Sequence, residues 1–247
     1  MNPPKQQRTA AGFSHQEKLY FAGCDAYGKA RVGTLISLLA EISGHDFDNQ
    51  GLTYEKLYEQ RQIFLLSRMS MKIYKYPGLN DVVTVSTWEN GAEGLFLRRN
   101  YEIAVDGTLY VSCKSEWLLT NPETRKILRP SEFTGKELTL CPKEIDCPPC
   151  KKIAYSREDL LPLGARRIVY SDLDYNGHLY SGNYSDIVWD FLPEELQAKP
   201  LRECFISFSK EAVLNETLDL SGFRNGGGYI MEGRNKDALC FSCECGF

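Results

Sequence analysis

The sequence predicts an α+β protein made of two copies of one unit, each a long helix wrapped by an antiparallel sheet. Strand-length runs rich in β-branched and aromatic residues fill most of the chain, and two stretches with apolar residues at helical spacing interrupt them. The segments ahead of those two helices also align with each other. Placing Asp25-Ala26-Tyr27-Gly28-Lys29 over Asp174-Tyr175-Asn176-Gly177-His178 matches an Asp and a Gly. Continuing the alignment brings Gly33 onto Gly182 and Leu38-Leu39 onto Ile187-Val188. Further on, residues 73–81 parallel residues 208–216, and both lead into β-rich sequence.

In the first unit, residues 13–24 begin extended. Val32, Leu35, Ile36, Leu39 and Ile42 recur at the spacing of one buried helical face and predict a helix over 31–42. A short helix over 53–60 follows, then strands over 63–74, 81–90, 95–104 and 109–120. Asp106-Gly107 is a two-residue hairpin signal, and Glu89-Asn90-Gly91 marks another turn. From about 130 to 157 the chain is rich in Pro, Lys, Glu and Cys without periodicity. The units are therefore set at 1–135 and 161–247, with a linker over 136–160. In the second unit, 165–170 are extended, a helix occupies 182–191, and strands run over 203–210, 216–224, 228–236 and 238–247. Asn225-Gly226-Gly227-Gly228 and Asn235-Lys236-Asp237 supply the turns.

Chemistry is expected where the copies differ. Asp174, Asn176 and His178 recur at alternate positions just before the second helix, and in an extended segment they would share one side. Tyr27 stands opposite Asn176, Lys29 opposite His178, and Tyr76 opposite Glu211. A turn alone accounts for a cluster of Asp, Asn and Gly. It gives no reason for the polar set to be confined to one copy. The second unit is read as the reactive one, with a carboxylate, an amide and an imidazole beside the N–H groups of a helix start near Gly182, a setting that suits a developing oxyanion.

Composition narrows the class. With 247 residues, 43% apolar and 12% aromatic, the chain has ample material for packed cores. No run approaches a membrane span, and the start from Met1 to Arg8 lacks the apolar centre of a secretory signal. A net charge of −4 gives no electrostatic case for nucleic acid. Nine cysteines, an odd number without an export signal, read as reduced thiols in a cytoplasmic protein. Two C-x-x-C pairs, Cys147/Cys150 and Cys240/Cys243, raise the question of zinc. The second lies in an alternating terminal run, where ligands three apart point to opposite faces, with Cys240 on one side and Phe241, Cys243 and Cys245 on the other. Packing as small hydrophobes is preferred, and neither metal nor cofactor is expected.

A long helix wrapped by an antiparallel sheet, twice over, is the hotdog plan in tandem. Ser171-Asp172-Leu173-Asp174-Tyr175-Asn176-Gly177-His178, followed by Tyr184 and Trp189, resembles the Ser-Asp-x-Asp-x-Asn-x-His signature of the acyl-acyl-carrier-protein thioesterases of plants and bacteria. Phe208-Ser209-Lys210-Glu211 resembles that family's Tyr-x-x-Glu segment. Ser115-Glu116-Trp117 through Asn121-Pro122-Glu123-Thr124-Arg125 resembles its first-domain Trp strand and Asn-x-x-Thr-Arg turn. The likeness runs from about residue 16 to the C-terminus with order and separations preserved.

The resemblance implies two tandem hotdog domains and a hydrolase that releases fatty acid from the phosphopantetheine thioester of acyl carrier protein, with Asp174, Asn176, His178 and Glu211 as its catalytic network. Plant members carry a Cys directly after the Glu. This chain has Ala212, so a thiol at that place cannot take part. Tyr180-Ser181 stands where the family has an Asn pair. Either Asp174 or Glu211 suits the role of base toward water, with Glu211 favoured and Asp174 orienting His178. An apolar tunnel between the first helix and its sheet is expected to hold the acyl chain, with Leu35, Leu39, Phe64, Trp88 and Phe96 as lining candidates. Acyl-coenzyme A hydrolysis, hydration of a double bond, and acyl binding without catalysis are the alternatives. Fold analogy gives a monomer or loose homodimer.

Overall fold

A computed structural model describes residues 6–9, 12–138 and 140–247; residues 1–5, part of the segment read for a leader, lie outside the described residues. The strands are β1 (Gln6–Thr9), β2 (Gly12–Lys18), β3 (Ile63–Ile73), β4 (Val82–Glu93), β5 (Phe96–Val105), β6 (Thr108–Thr120), β7 (Ile127–Leu128), β8 (Leu161–Arg167), β9 (Glu203–Phe208), β10 (Thr217–Asn225), β11 (Gly228–Asn235) and β12 (Ala238–Gly246). The helices are α1 (Val32–Asn49), α2 (Tyr54–Glu59), α3 (Ser181–Phe191) and α4 (Glu194–Gln197). The strands form one continuous antiparallel sheet in the order β1-β2-β4-β5-β6-β3-β9-β12-β11-β10-β8, with β7 on β6. β3 and β9 join the halves, from Arg68 opposite Ser207 to Lys72 opposite Glu203. This is the tandem hotdog plan, with α1 and α3 on the concave face.

The apolar stripe of α1 is Val32, Leu35, Ile36, Leu39 and Ile42, all buried against Phe13, Met69, Met71, Val83, Val85, Tyr101 and Ile103. Truncating Leu35 or Leu39 to Ala in such a core costs about 2–5 kcal/mol. The helix continues to Asn49, beyond the 31–42 of the periodic pattern. Polar anchors replace the stripe there: the Ser43 hydroxyl meets the Tyr101 hydroxyl at 3.0 Å, and Asp46 accepts from buried Arg99 at 2.8 Å. Tertiary bonds override a locally weak helix sequence.

The internal repeat is carried by backbone bonds. Asp25 N–H donates to Lys29 O as Asp174 N–H donates to His178 O, at 2.7 and 2.8 Å. Ala30 N–H to Pro77 O is matched by Leu179 N–H to Ala212 O, both 2.8 Å, and Asn80 N–H to Leu19 O by Asn215 N–H to Ile168 O, both 3.0 Å. Asn80 and Asn215 both sit in the left-handed region, at φ 71° and 69°. α1 and α3 cross where Gly33 meets Gly182. A Cβ on either would lie 2.8 Å from the other's carbonyl oxygen, so only glycine allows the approach.

Three further expectations are corrected. Asn90-Gly91 is no hairpin turn: β4 runs on to Glu93 through a bulge between Glu89 and Ala92, with Gly91 at φ 71°. Cys240 does not face away from Phe241. The register slips between Gly233 and Arg234, leaving Cys240 as the extra residue, and both side chains join the core. The segment before the second helix is also a turn rather than an extended run, because the Asp174 carboxylate gathers the N–H groups of Asn176 and His178 at 2.8 and 3.1 Å.

Residues 140–156 cross the convex face of the sheet as a strap. Leu140 bridges Asn90 on β4, Lys143 lies 4.4 Å over Trp88, and Cys147 donates to Ser70 O on β3. Lys151 then pairs with Glu244 on β12 at 2.7 Å, Ile153 packs on Phe205 and Ile230, and the Tyr155 hydroxyl donates to Glu232 on β11 at 2.6 Å.

Candidate active site

Asp174, Asn176, His178 and Glu211 line one cavity of about 490 Å³ at the junction of the two halves. The turn before α3 presents the first three, and the loop after β9 presents Glu211. His178 bridges Val213 in that loop, which brings the segments together. The His178 Nε2 atom lies 3.2 Å from Glu211 Oε2. Arg125 Nη1 donates to the same Oε2 at 2.6 Å, leaving Oε1 without a protein partner among the described residues. Asn176 Oδ1 accepts from the Tyr54 hydroxyl at 2.7 Å, which leaves the Asn176 amide hydrogens to donate into the site.

The first copy separates architecture from chemistry. Asp25 gathers the N–H groups of Tyr27 and Lys29 at 2.9 and 3.0 Å, as Asp174 gathers its own pair, and Gly28 and Gly177 share φ near 75° (75° and 76°). One Asp174 oxygen thus does a turn-forming job common to both copies. The amide, imidazole and carboxylate of Asn176, His178 and Glu211 are not repeated: a second cavity of about 490 Å³ is lined at the equivalent places by Tyr27, Lys29 and Tyr76.

Residues absent from the sequence-based set complete the site. Tyr54 comes from the start of α2, and burial, with Tyr58 next in effect, raises its phenol above the usual value, so it stays a hydrogen donor. Arg125 is held by the Asn121 turn, whose carboxamide accepts from the N–H groups of Glu123 and Thr124, both at 3.0 Å. The Tyr180 hydroxyl donates to Glu41 on α1 at 2.8 Å, and burial and that carboxylate push its ionisation upward. Tyr180 caps α3 without a side-chain cap bond. Leu179, Tyr180 and Ser181 are the part of the helix start that lines the cavity; Gly182 is packed against α1 instead.

Of the expected lining residues, Phe64 faces the cavity, in an aromatic group with Phe47 at 5.1 Å and Phe133 at 5.2 Å between ring centroids. Leu35 and Leu39 do not, because they are fully buried in the α1 core. Trp88 packs under the strap, its indole N–H donating to Lys143 O at 3.3 Å. Phe96 lies 4.8 Å from the Arg68 guanidinium, away from the cavity. The apolar walls are instead Phe47, Leu52, Leu57, Leu97 and Trp117. The two C-x-x-C pairs fall on opposite faces of the sheet: Cys147 and Cys150 donate to Ser70 O and Lys114 O under the strap, while Cys240 and Cys243 are in the core.

Residues 12–134 match the family model of the acyl-ACP thioesterase N-terminal domain. The chain belongs to the acyl-ACP thioesterase family. It is 26% identical over 241 residues to oleoyl-acyl carrier protein thioesterase 2 of Arabidopsis thaliana, covering 84% of this chain and 62% of the relative. The corresponding enzyme of Coriandrum sativum is 28% identical over 235 residues, with 85% and 63% covered. The chain thus spans slightly under two thirds of the length of these chloroplastic relatives. An acyl-ACP thioesterase from Bacteroides thetaiotaomicron has the same fold, with a TM-score of 0.85 at 22% identity over 94% of this chain and 96% of that one. The 12:0-ACP thioesterase from Umbellularia californica superposes at 0.80 with 14% identity, over 97% and 98% of the two chains.

Proposed function

We propose that this protein hydrolyses the thioester linking a fatty acyl chain to the phosphopantetheine arm of acyl carrier protein. The observation that carries the reading is a His178–Glu211 pair, absent from the first copy, at the head of a largely apolar cavity. Glu211 Oε1 takes a proton from water as the water oxygen attacks the thioester carbonyl carbon. The Asn176 amide, held by Tyr54, donates to the oxyanion, together with the Ser181 N–H at the start of α3; the Tyr180 N–H is already bonded to Asp172 O. Collapse breaks the C–S bond, and the proton held by Glu211 returns through His178 to the departing thiolate. Asp174 fixes the turn on which Asn176 and His178 stand.

Family membership favours a protein carrier over coenzyme A. The two halves already share one sheet, so a second copy is not needed to assemble the site, and a monomer or loose homodimer is proposed. No helix among the described residues is long and apolar enough to cross a membrane. A cytoplasmic setting belongs to the same proposal, supported by nine free cysteines. The test is thiol release from acyl carrier protein thioesters beside matched acyl-coenzyme A thioesters. Preference for the carrier-bound series supports the proposal, equal use of both makes the protein a general thioesterase, and inertness toward both leaves only acyl binding.

A further inference from the structure

The cavity ends in charge. From His178 and Glu211 it runs past Phe208 at the end of β9, Leu66 on β3, Trp117 on β6 and Leu97 on β5 to Gly91 on β4. The facing helix follows the same course: Glu41 of α1 bonds Tyr180 at the head, and Asp46 bonds Arg99 at the far end. Arg99 is buried there, with one guanidinium nitrogen 2.8 Å from Asp46 and 3.2 Å from the Thr87 hydroxyl and the other 3.4 Å from Glu89. Lys136 Nζ is 2.6 Å from Glu89, and Arg8 pairs with Asp46. Arg99 and Lys136 lie 5.2 and 5.8 Å over the ring of Phe47, the aromatic that borders this end.

We propose that this buried ion cluster is the floor of the acyl tunnel and sets the longest chain the enzyme accepts. The inference rests on the reading that the cavity holds an acyl chain. A longer chain gains roughly fourfold in affinity for each methylene buried. Parting one buried ion pair costs more than about a hundredfold. Two extra carbons do not offset that loss, so acceptance falls at a sharp step rather than gradually. Crossing from β9 to β4 covers four strand spacings, about 19 Å. At about 1.2 Å of reach per bond of an extended chain, the step falls on the order of fifteen carbons.

The variants that test this are Arg99→Leu and Leu97→Trp. Arg99→Leu shortens the floor while leaving Asp46 with Arg8 and Glu89 with Lys136. Leu97→Trp fills the tunnel ahead of the floor. Each is assayed, beside the wild type, for hydrolysis of acyl carrier protein thioesters and for displacement of a bound fluorescent fatty acid by free fatty acids, both from eight to twenty carbons. The wild type is expected to lose more than about tenfold over one two-carbon step. Arg99→Leu should move that step two or more carbons longer, and Leu97→Trp should move it shorter. A gradual wild-type profile, or a step that stays put in both variants, overturns the proposal. If Arg99→Leu does not fold, the sharpness of the wild-type step decides, a gradual profile overturning the proposal. If no thioester is cleaved, the displacement series still locates the step, so failure of the hydrolase reading remains distinct from failure of the floor.

Discussion

Replacing Glu211 with Gln isolates the group proposed to activate water. Gln keeps the volume and can still accept from His178 and Arg125, but its Oε1 counterpart no longer takes a proton at neutral pH. General-base catalysis is typically worth 10²–10⁴-fold, so turnover should fall at least about a hundredfold, about 2.7 kcal/mol of transition-state stabilisation. The expected cost to folding is far smaller. The Arg125 and Glu211 side chains are 60% and 33% exposed, and ion pairs open to solvent contribute about 0–1 kcal/mol. For a chain of this size that moves Tm by at most about 2–4 °C. The assay is thiol release from an acyl carrier protein thioester at saturating substrate, with a thermal melt on the same preparation. Turnover within a few-fold of wild type, on a protein with an unchanged melt, would remove Glu211 from the mechanism. A large drop in Tm would instead make it a structural residue.

Three other outcomes are expected. Tyr54→Phe removes the donor that orients Asn176 and should lower kcat about tenfold or more, with KM nearly unchanged, as for a group that acts through an oxyanion donor; a pure KM effect would count against it. Gly182→Ala sets a methyl against the Gly33 carbonyl across the α1–α3 crossing, and a loss of roughly 1–3 kcal/mol in urea unfolding is expected, with no loss meaning the helices part easily. Burial pushes the Cys150 thiol from 9.0 up to about 12. The folded chain therefore keeps a proton that the unfolded chain releases first, so this group's contribution to stability is intact below pH 9 and declines as pH rises toward 12. At pH 8 the native Cys150 should resist alkylation, and rapid labelling of Cys150 in peptide maps would contradict the burial.

The sequence made the repeat legible because a turn that recruits backbone N–H groups needs Asp and Gly at fixed offsets, and Asp25, Gly28, Asp174 and Gly177 supply them. Subtracting one copy from the other isolates Asn176, His178 and Glu211. Tyr54 and Arg125 were not legible as site residues, since each reaches its partner across the fold: Tyr54 is 122 positions from Asn176 and Arg125 is 86 from Glu211. The difference between the expected lining and the residues around the cavity has a local cause. Ending the first helix at Ile42 put Phe47 in a loop and left the buried stripe of Leu35 and Leu39 as the natural lining. Those residues are consumed by the core, and the cavity opens along the next turns, where Ser43 and Asp46 hold the helix through polar bonds that periodicity does not register.

The strap over the convex face also bears on how the chain reaches its native state. Its anchoring points lie on β4, β3, β12 and β11, strands drawn from both halves, so it has nowhere to settle until the halves have zipped together between β3 and β9. Docking of residues 140–156 is therefore expected late in folding, and undocking early in unfolding. A protease cut in this segment would report the joining of the halves before any loss of the two cores, and native-state amide exchange should find its N–H groups opening ahead of those in β3 and β9.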